Sequence, residues 1–491
     1  MLIYRLNAIW RIIFKIILLI PLLLVSNISA APLKVFPENY RYFTDGQKAI
    51  YLTGSHTWAN FQERRYSDGP FFDYSAFLDF LKENNHNFFR LWVWEHSAWM
   101  HHKDQKVAYA PHPFERTGPG LALDGKPRFD LTKFDQTYFD RLRKRVEDAN
   151  RRGLYVSIML FQGFSVSQKN TVEAINSSIG NQWEGHPFHK NNNINQINGD
   201  LNGDNRGLET HTMSNAPQIV MIRSYQEAYV KKVIDTVNDL DNVLYEIGNE
   251  CHNGSTSWQY HMINLIKDYE NTKPKQHPVG MTFQWDKQYK GTNQDLFNSP
   301  AEWISPAQEI GQDYKNNPPL ADGTKVIIID TDHLWGVGGS VSWVWKSFTR
   351  GLNPIFMDPY KDGKRGYLYN PQWDPERKAM GHTLQYTERM NLAASIPSKT
   401  ICSTTYCLVN PGNEYMVFQP DSGPFTLRIE AGDYEFEWFD PNSGTVVKKG
   451  ILTTNTYNRP FLPPFSGEAV LFLKRIQFIT TPSTSPNNDN F

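Results

Sequence analysis

Eight short apolar runs alternate with segments of helical periodicity along this chain, and that alternation limits its fold more than any other feature. Each run has the length of a buried strand and is bounded by turn residues. We predict strands at Ala49–Gly54, Asn87–Trp94, Leu154–Phe161, Val243–Ile247, Pro278–Phe283, Ala301–Ile304, Lys325–Ile329 and Asn353–Met357. Strand and helix alternating eight times favours a parallel (β/α)8 barrel over an open doubly wound sheet.

The fourth run leads directly into a carboxylate. Asp241 and Asn242 form a turn pair, the apolar strand follows, and the run ends in Gly248, Asn249 and Glu250. Side chains alternate along a strand, so Glu246, Gly248 and Glu250 are expected on one face. Catalytic groups of parallel barrels lie at the C-terminal strand ends. Glu250 is therefore a candidate catalytic residue, the alternative being a helix cap.

Polar and aromatic residues also follow the other predicted strands. Because the carboxyl ends of barrel strands meet at one mouth, we expect these side chains to converge there. The residues predicted to bind substrate are His56, Trp58, Arg90, Trp92, Trp94, Asn249, Gln284, Trp285, His333, Trp335 and Asp358. Two long polar segments, residues 95–136 and 162–217, are predicted to be loops that wall the same mouth.

The seventh run supplies a possible partner for Glu250. Asp330 and Asp332 follow it two residues apart, which places them on one strand face. Cleavage of a glycosidic bond needs two carboxyl groups, one that protonates the leaving oxygen and one that attacks the sugar or activates water. We expect Asp332 to face the substrate and Asp330 to lie deeper, paired with Arg90. The alternative for either aspartate is a purely structural salt bridge or cap.

Net charge and composition limit the classes of molecule that the protein is expected to bind. The 491 residues carry a formal net charge of -1, which offers no argument for a nucleic acid or a membrane surface. Aromatic residues make up 14% of the chain, with 14 Trp, and Trp-rich clefts suit sugars, although large cores also use many such rings. No Gly-rich phosphate-binding sequence follows any strand. We expect a carbohydrate substrate and no cofactor.

The N-terminus has the pattern of a secretory signal peptide. Arg5, Arg11 and Lys15 precede an apolar run over Ile16–Val25, and small residues at 29–31 offer a cleavage site. The run is short for a membrane span. We expect residues 1–30 to be removed and the protein to be secreted, periplasmic or at the cell surface, with no stable membrane insertion; a retained anchor is the alternative.

Three cysteines fit an exported protein. Cys402 and Cys407 are close enough in sequence to bridge across a turn, and an oxidising compartment permits the bond. Cys251 follows Glu250 and is expected to be a buried thiol. A nucleophilic role for Cys251 is the alternative, but nothing in the sequence fixes a histidine partner.

The pattern changes near residue 397. Short strand-like runs then alternate with turn pairs such as Asp421-Ser422-Gly423 and Asn442-Ser443-Gly444, which is typical of a small all-β sandwich. We therefore predict a signal peptide over residues 1–30, a barrel over 31–396, a sandwich over 397–476 and a disordered tail over 477–491.

At this point a family resemblance becomes specific. The chain resembles clan A (β/α)8 glycoside hydrolases, whose acid/base is the Glu of an Asn-Glu pair ending strand four and which carry an arginine on strand two. The matching segments are Asn249-Glu250, Arg90, Tyr51–Trp58, Asn353–Tyr360 and Glu437–Gly444. Tyr51–Trp58 and Asn353–Tyr360 look like bacterial cellulase-like and apiosidase-like barrels, and Glu437–Gly444 looks like a module labelled as collagen-binding. The resemblance implies a glycosidase and covers roughly residues 33–475.

One departure and two rival interpretations remain. The clan has Glu on strand seven, where this chain has Asp330 and Asp332, and the shorter side chain puts a retaining mechanism in doubt. Metal chemistry is a rival, because His56, His101, His102 and His333 accompany the two aspartates, although no fixed ligand spacing is present. The other rival is a non-catalytic carbohydrate- or matrix-binding protein on a barrel scaffold.

Overall fold

The computed structural model describes residues 31–66, 69, 71–102, 105–167, 179–286, 288–360 and 370–477. The predicted signal peptide at 1–30 and residues 478–491 of the predicted tail lie outside the described residues. None of the described helices combines the length and apolar character that crossing a bilayer requires.

Eight parallel strands form the barrel, as the alternation predicts. In chain order they are β1 (Gly54–His56), β2 (Phe88–Leu91), β3 (Tyr155–Gln162), β4 (Val243–Asn249), β5 (Val279–Thr282), β6 (Trp303–Ser305), β7 (Val326–Asp330) and β8 (Asn353–Met357). From β2 to β8 each strand pairs in parallel with the next one in the chain, and β8 pairs in parallel with β1. The strand order 1-8-7-6-5-4-3-2 is that of a (β/α)8 barrel.

The interior of the barrel changes character along its axis. Its N-terminal half is filled by apolar side chains that include Phe88, Leu244, Val326 and Ile328, and all are buried. Two residues further along β2, β4 and β7, the same alternation brings in Arg90, Glu246 and Asp330. The sequence thus places an apolar base beneath a charged mouth.

Helices cover the outside of the barrel at most crossovers. They are α1 (Tyr74–Glu83), α2 (Gln136–Asn150), α3 (Pro217–Val237), α4 (Thr256–Glu270), α5 (Asn293–Asn298), α6 (Val341–Thr349) and α7 (Asp374–Thr387). Asp73 and Asp135 cap α1 and α2 by accepting backbone N–H bonds. The prediction of eight helices was wrong at one crossover: residues 306–325, between β6 and β7, contain turns but no helix.

The segment 95–136 is not the loop that its polar sequence predicts. Strands Ala98–His102 and Gln105–Ala110 pair with each other, and the latter pairs with Glu63–Tyr66 from the connection after β1. We call this three-stranded antiparallel sheet the wall sheet. A second hairpin joins Phe114–Leu121 to Pro127–Phe134. Two hairpins and one long-range pairing with Glu63–Tyr66 order these residues, and local composition does not reveal them.

Antiparallel strands follow the barrel at the C-terminus. They are β9 (Ile396–Ser398), β10 (Cys407–Asn410), β11 (Glu414–Gln419), β12 (Phe425–Arg428), β13 (Gly432–Asp440), β14 (Thr445–Thr454), β15 (Asn458–Phe461) and β16 (Ala469–Arg475). Six form one sheet in the order β9-β10-β11-β16-β13-β14, while β12 and β15 pair separately. Cys402 and Cys407 form a disulfide with their Cα atoms 6.4 Å apart.

The strand β11 of the six-stranded sheet is buried on both faces. Tyr415 and Val417 belong to a core shared with β12 and β15. The alternate residues Met416 and Phe418 belong to the large core of the barrel instead. The C-terminal sheet therefore packs directly against the barrel and is not a separate domain joined to it only by a linker.

Candidate active site

A cavity of about 210 Å³ opens among the C-terminal ends of the first four barrel strands and the segment after β7. Aromatic rings form most of its sides, and two carboxylates face it. It is lined by Trp58, Arg64, Trp92, Trp94, Trp99, His101, Tyr109, Gln162, Phe164, Asn249, Glu250 and Asp332. Six of these residues, namely Trp58, Trp92, Trp94, Asn249, Glu250 and Asp332, are predicted from the sequence.

Glu250 reaches the cavity through an unusual backbone conformation. Its φ of +52° lies in the left-handed region, which non-glycine residues rarely adopt and which costs about 1–3 kcal/mol. Gly163, after β3, packs against this segment so closely that a Cβ there would collide with the Glu250 carbonyl group. The strict alternation expected over residues 246–250 is thereby broken, and both Asn249 and Glu250 line the cavity.

Arg90 on β2 organises the cavity floor. Its guanidinium donates to Glu246 at 2.8 and 2.5 Å, to Asp330 at 2.7 Å and to the Asn249 amide oxygen at 2.7 Å. Burial alone would lower the pKa of Arg90, but the charge of Glu246 and then that of Asp330 raise it. A charged arginine that donates four hydrogen bonds thus ties β2, β4 and β7 together.

The two aspartates occupy different environments. Asp330 is fully buried at the end of β7 and pairs with Arg90, and His56 Nε2 lies 3.0 Å from its Oδ1. Burial tends to raise the pKa of Asp330, but His56 and then Arg90 outweigh burial and hold it below its ordinary value. Asp332 lines the cavity, with Oδ2 3.7 Å from Arg90 Nη1.

Asp332 does not continue the strand, contrary to the alternation that the sequence predicts. A 3-10 turn over Thr331–His333 begins immediately after Asp330. The Asp332 backbone N–H donates to Asp330 Oδ1 at 2.9 Å and fixes this turn. Capping therefore replaces strand alternation as the reason that both carboxylates approach Arg90.

A hydrogen-bonded chain orients Asn249. His333 Nε2 lies 3.1 Å from Asn249 Oδ1, and Ser305 Oγ lies 3.0 Å from His333 Nδ1. An amide oxygen only accepts, so Nε2 carries the proton and Nδ1 accepts from the Ser305 hydroxyl. With its oxygen engaged by Arg90 and His333, Asn249 has its Nδ2 group as the part that can donate to a ligand.

Indole rings support the charged floor. Trp92 stacks on His56 with ring centroids 5.5 Å apart, and the Arg90 guanidinium lies 5.0 Å from the Trp92 ring. The Gln162 amide is satisfied when its oxygen accepts from Trp92 Nε1 at 3.3 Å and its nitrogen donates to the Asn249 carbonyl at 3.0 Å. Trp92 therefore both lines the cavity and holds the floor in place.

Glu95 fixes the loop beside the cavity. Its carboxylate accepts from the Gln162 backbone N–H at 2.7 Å and lies 3.2 Å from His186 Nε2 and 3.3 Å from His211 Nε2. Burial raises the pKa of Glu95, but His211 and then His186 more than compensate and lower it. The predicted loop over 162–217 is thus anchored to the end of β3, although its residues 168–178 lie outside the described part of the chain.

Seven of the eleven predicted binding residues do not line this cavity: His56, Arg90 and His333 support its floor, and the other four are Gln284, Trp285, Trp335 and Asp358. Gln284 is buried and donates to Ser255 and Thr256, which makes it part of the packing of α4. Asp358 is buried in a two-hydrogen-bond pair with Arg377. Trp285 and Trp335 are partly exposed, Trp285 beneath the Lys290 ammonium and Trp335 against Trp343. A position just after a strand therefore does not by itself bring a side chain to the mouth.

Several residues of the site escape prediction from the sequence. Three of them, Arg64, Trp99 and Tyr109, come from the wall sheet, whose strand pairing is not predicted from the local sequence pattern. Gln162 is the last residue of β3 and Phe164 follows it, in a segment predicted only as loop. Glu246 carries a detectable signal: a charged residue within a buried strand requires a cation, and Arg90 on another buried strand supplies one.

The metal alternative finds no support in the geometry. Among the residues that the structure describes, no three His, Cys, Asp or Glu side chains are placed to hold a metal ion. His56 and His333 instead serve Asp330 and Asn249 as hydrogen-bond partners.

Comparison with known proteins places the fold among characterised structures. A structure titled glycoside hydrolase is 12% identical, with a TM-score of 0.56, covering 91% of this chain and 97% of the other. A glycoside hydrolase family 5 structure from Bacteroides vulgatus is also 12% identical at a TM-score of 0.56, covering 90% and 93%. At this identity the likeness shows a shared fold, a barrel followed by a β domain.

Sequence comparison adds little about activity. The family model of a domain of unknown function, DUF6298, matches residues 96–295. This range contains β3, β4, β5 and the wall-sheet strands Ala98–His102 and Gln105–Ala110. No curated protein sequence matches the chain.

Proposed function

We propose that this protein is a glycoside hydrolase that cleaves O-glycosidic bonds of a polysaccharide or oligosaccharide. The observation that carries the proposal is that Glu250 and Asp332 both face one aromatic-lined cavity at the C-terminal barrel mouth. Two carboxyl groups flanking a bound sugar are the minimum that this hydrolysis requires. Aromatic rings supply apolar faces on which a sugar ring can stack.

Each carboxyl group has a proposed role. Glu250, the residue that matches the acid/base in the family resemblance, donates a proton to the leaving oxygen. Asp332 attacks the anomeric carbon or activates the attacking water. Asp330 stays ionised beside His56 and Arg90 and stabilises the floor, and Asn249 donates to the bound sugar.

The cellular setting is part of the proposal. We propose that residues 1–30 direct export and are removed, which gives a secreted, periplasmic or cell-surface enzyme. The disulfide between Cys402 and Cys407 supports an oxidising compartment. The C-terminal sheets are proposed to buttress the barrel, since they share its apolar core.

Activity profiling tests the proposal directly. The protein without residues 1–30 is incubated with a panel of plant and bacterial polysaccharides and 4-nitrophenyl glycosides, and released reducing ends and nitrophenol are measured. Glu250→Gln is expected to lose about 10²–10⁴-fold in rate on substrates with poor leaving groups. Glu115→Gln, at an exposed position on the 114–134 hairpin, is the matched control. Binding of a polysaccharide without turnover would favour the non-catalytic alternative.

A further inference from the structure

The wall sheet presents one face to the cavity. Arg64 and Tyr109 are direct cross-strand partners, and Trp99 and His101 are two residues apart on the neighbouring strand. All four side chains line the cavity. Alternation along paired strands puts such positions on the same face of a sheet. One side of the cavity is therefore formed by paired strands rather than by separate loops.

Hydrogen bonds hold the wall sheet to its surroundings. The Met100 N–H donates to the Gly180 carbonyl at 3.1 Å, and the Ser97 N–H donates to the Gly185 carbonyl at 2.9 Å. These bonds join the wall sheet to the long segment after β3. Among the described residues, the main chain is therefore joined at a place where an open groove would need a gap.

Ring packing narrows the cavity further. The rings of Trp94 and Tyr109 lie 4.9 Å apart, those of Trp99 and Phe164 5.4 Å apart, and Trp99 Nε1 donates to the Tyr109 hydroxyl at 3.1 Å. Trp99 and Tyr109 are only 3% and 1% exposed. Rings along an open polysaccharide groove would present much more of their faces to solvent.

The size of the cavity sets the size of its occupant. A volume of about 210 Å³ is below the ~300–1,000 Å³ of pockets that enclose drug-sized ligands. One sugar ring with its hydroxyl groups fits such a space, whereas a run of several rings does not. The carboxylates Glu250 and Asp332 lie in this same small space.

We infer that the cavity accepts a single terminal sugar residue, so that the enzyme removes monosaccharides from chain ends rather than cutting within a chain. The inference rests on the proposed glycosidase function. An internal sugar would have to continue through the wall sheet on one side, and a terminal sugar has no such continuation. Trp99, Tyr109 and Arg64 then determine specificity for the terminal residue.

The order of product release tests this inference. Hexasaccharides of several plant and bacterial glycans, labelled at the reducing end, are digested with the wild-type protein and sampled over time. The expected result is free monosaccharide together with labelled chains that shorten one residue at a time. Early internal fragments of two to four residues would overturn the inference while leaving the glycosidase proposal intact. Absence of cleavage of every oligosaccharide and glycoside would overturn both.

Wall variants add a second readout on 4-nitrophenyl monosaccharide glycosides. Trp99→Phe retains part of the ring surface and is expected to lower kcat/KM about 10-fold, because small losses in a close-fitting pocket cost roughly this much. Lys106→Ala, at an exposed wall-sheet position of opposite parity to Tyr109, is the control and should leave kcat/KM unchanged. Equal kcat/KM in Trp99→Phe and wild type would contradict the proposed role of the wall.

Discussion

The Arg90 guanidinium donates two hydrogen bonds to the Glu246 carboxylate, at 2.8 and 2.5 Å, from one barrel strand to another. Both side chains are essentially inaccessible to solvent. Arg90 also holds Asp330, so one buried cation bridges two buried anions. Because ions this deep are stable only when fully paired, the floor of the site and the stability of the barrel depend on the same residues.

Glu246→Gln should strongly destabilise the protein. The substitution removes one of two anions beside a buried arginine, and breaking a buried pair costs about 3–5 kcal/mol. The free energy of unfolding from urea titration measures the effect. Arg143→Gln, which breaks the exposed pair with Asp239, is the control and should cost less than about 1 kcal/mol. Equal costs for the two variants would show that the Arg90 cluster is not a stabilising centre.

The two aspartates after β7 should separate activity from stability. Asp332→Asn removes a carboxylate from the cavity and is expected to reduce kcat about 10²-fold or more, with a small change in unfolding free energy. Asp330→Asn removes the partner of Arg90 and His56 and should cost about 3–5 kcal/mol of stability. The paired measurements are kcat and the urea midpoint. If Asp332→Asn chiefly lowered stability while Asp330→Asn chiefly lowered kcat, the roles assigned to the two aspartates would be reversed.

Acid should destabilise the folded protein at pH values well above those at which carboxylates ordinarily titrate. Burial lowers the pKa of His86, His189 and His252 to about 4, against about 6.5 in an unfolded chain. These histidines are neutral in the folded state, so their contribution is complete above pH 6.5 and is lost as pH falls toward 4. The expected result is a Tm that decreases steadily between pH 6.5 and 4.5. A Tm that stays constant over this interval would contradict the assignment.

The contact between the barrel and the C-terminal sheet should be part of one cooperative unit. The Phe439 ring packs on His382, Trp345 and Tyr386 with centroids 5.1, 5.6 and 5.7 Å away. Phe439→Ala should cost about 3–5 kcal/mol. Ile451→Ala on the neighbouring strand is the control, because Ile451 is 69% exposed and its loss should be nearly neutral. A second, separate unfolding transition in Phe439→Ala alone would show that this contact couples the two regions.

An element of the fold can be predicted from the sequence when the pattern that specifies it lies within the element itself. Asn353–Met357 is predicted with its observed bounds. The predicted strand Ala301–Ile304 starts two residues and ends one residue before the observed β6, because a run this short carries little periodicity. The wall strand Glu63–Tyr66 is polar and its partners lie over 40 residues away, whereas the other two wall strands pair with each other as a hairpin. Their existence is a property of pairing that local pattern cannot supply.

The same reasoning applies to the site. Arg90 and Asp332 are found from strand ends alone, since the topology of a barrel forces those ends together. The fit of Glu250 depends on a left-handed backbone and on the close approach of Gly163, neither of which alternation predicts. Gln284 and Asp358 have the right position in the sequence, but buried partners turn them away from the cavity.

The last prediction concerns the chain from Ser305 through His333 to Asn249. His333 donates to the Asn249 amide oxygen and so keeps the Asn249 Nδ2 group available to a bound sugar. His333→Ala should let the amide rotate and reduce kcat/KM by about 10–10²-fold, because small misplacements of binding groups cost this much. Asn249→Ala removes the oriented group itself. If His333 acts through Asn249, the double variant should be little worse than Asn249→Ala, a strongly non-additive cycle. Additive losses in kcat/KM, with circular dichroism showing all three variants folded, would mean that His333 acts on the reaction independently of Asn249.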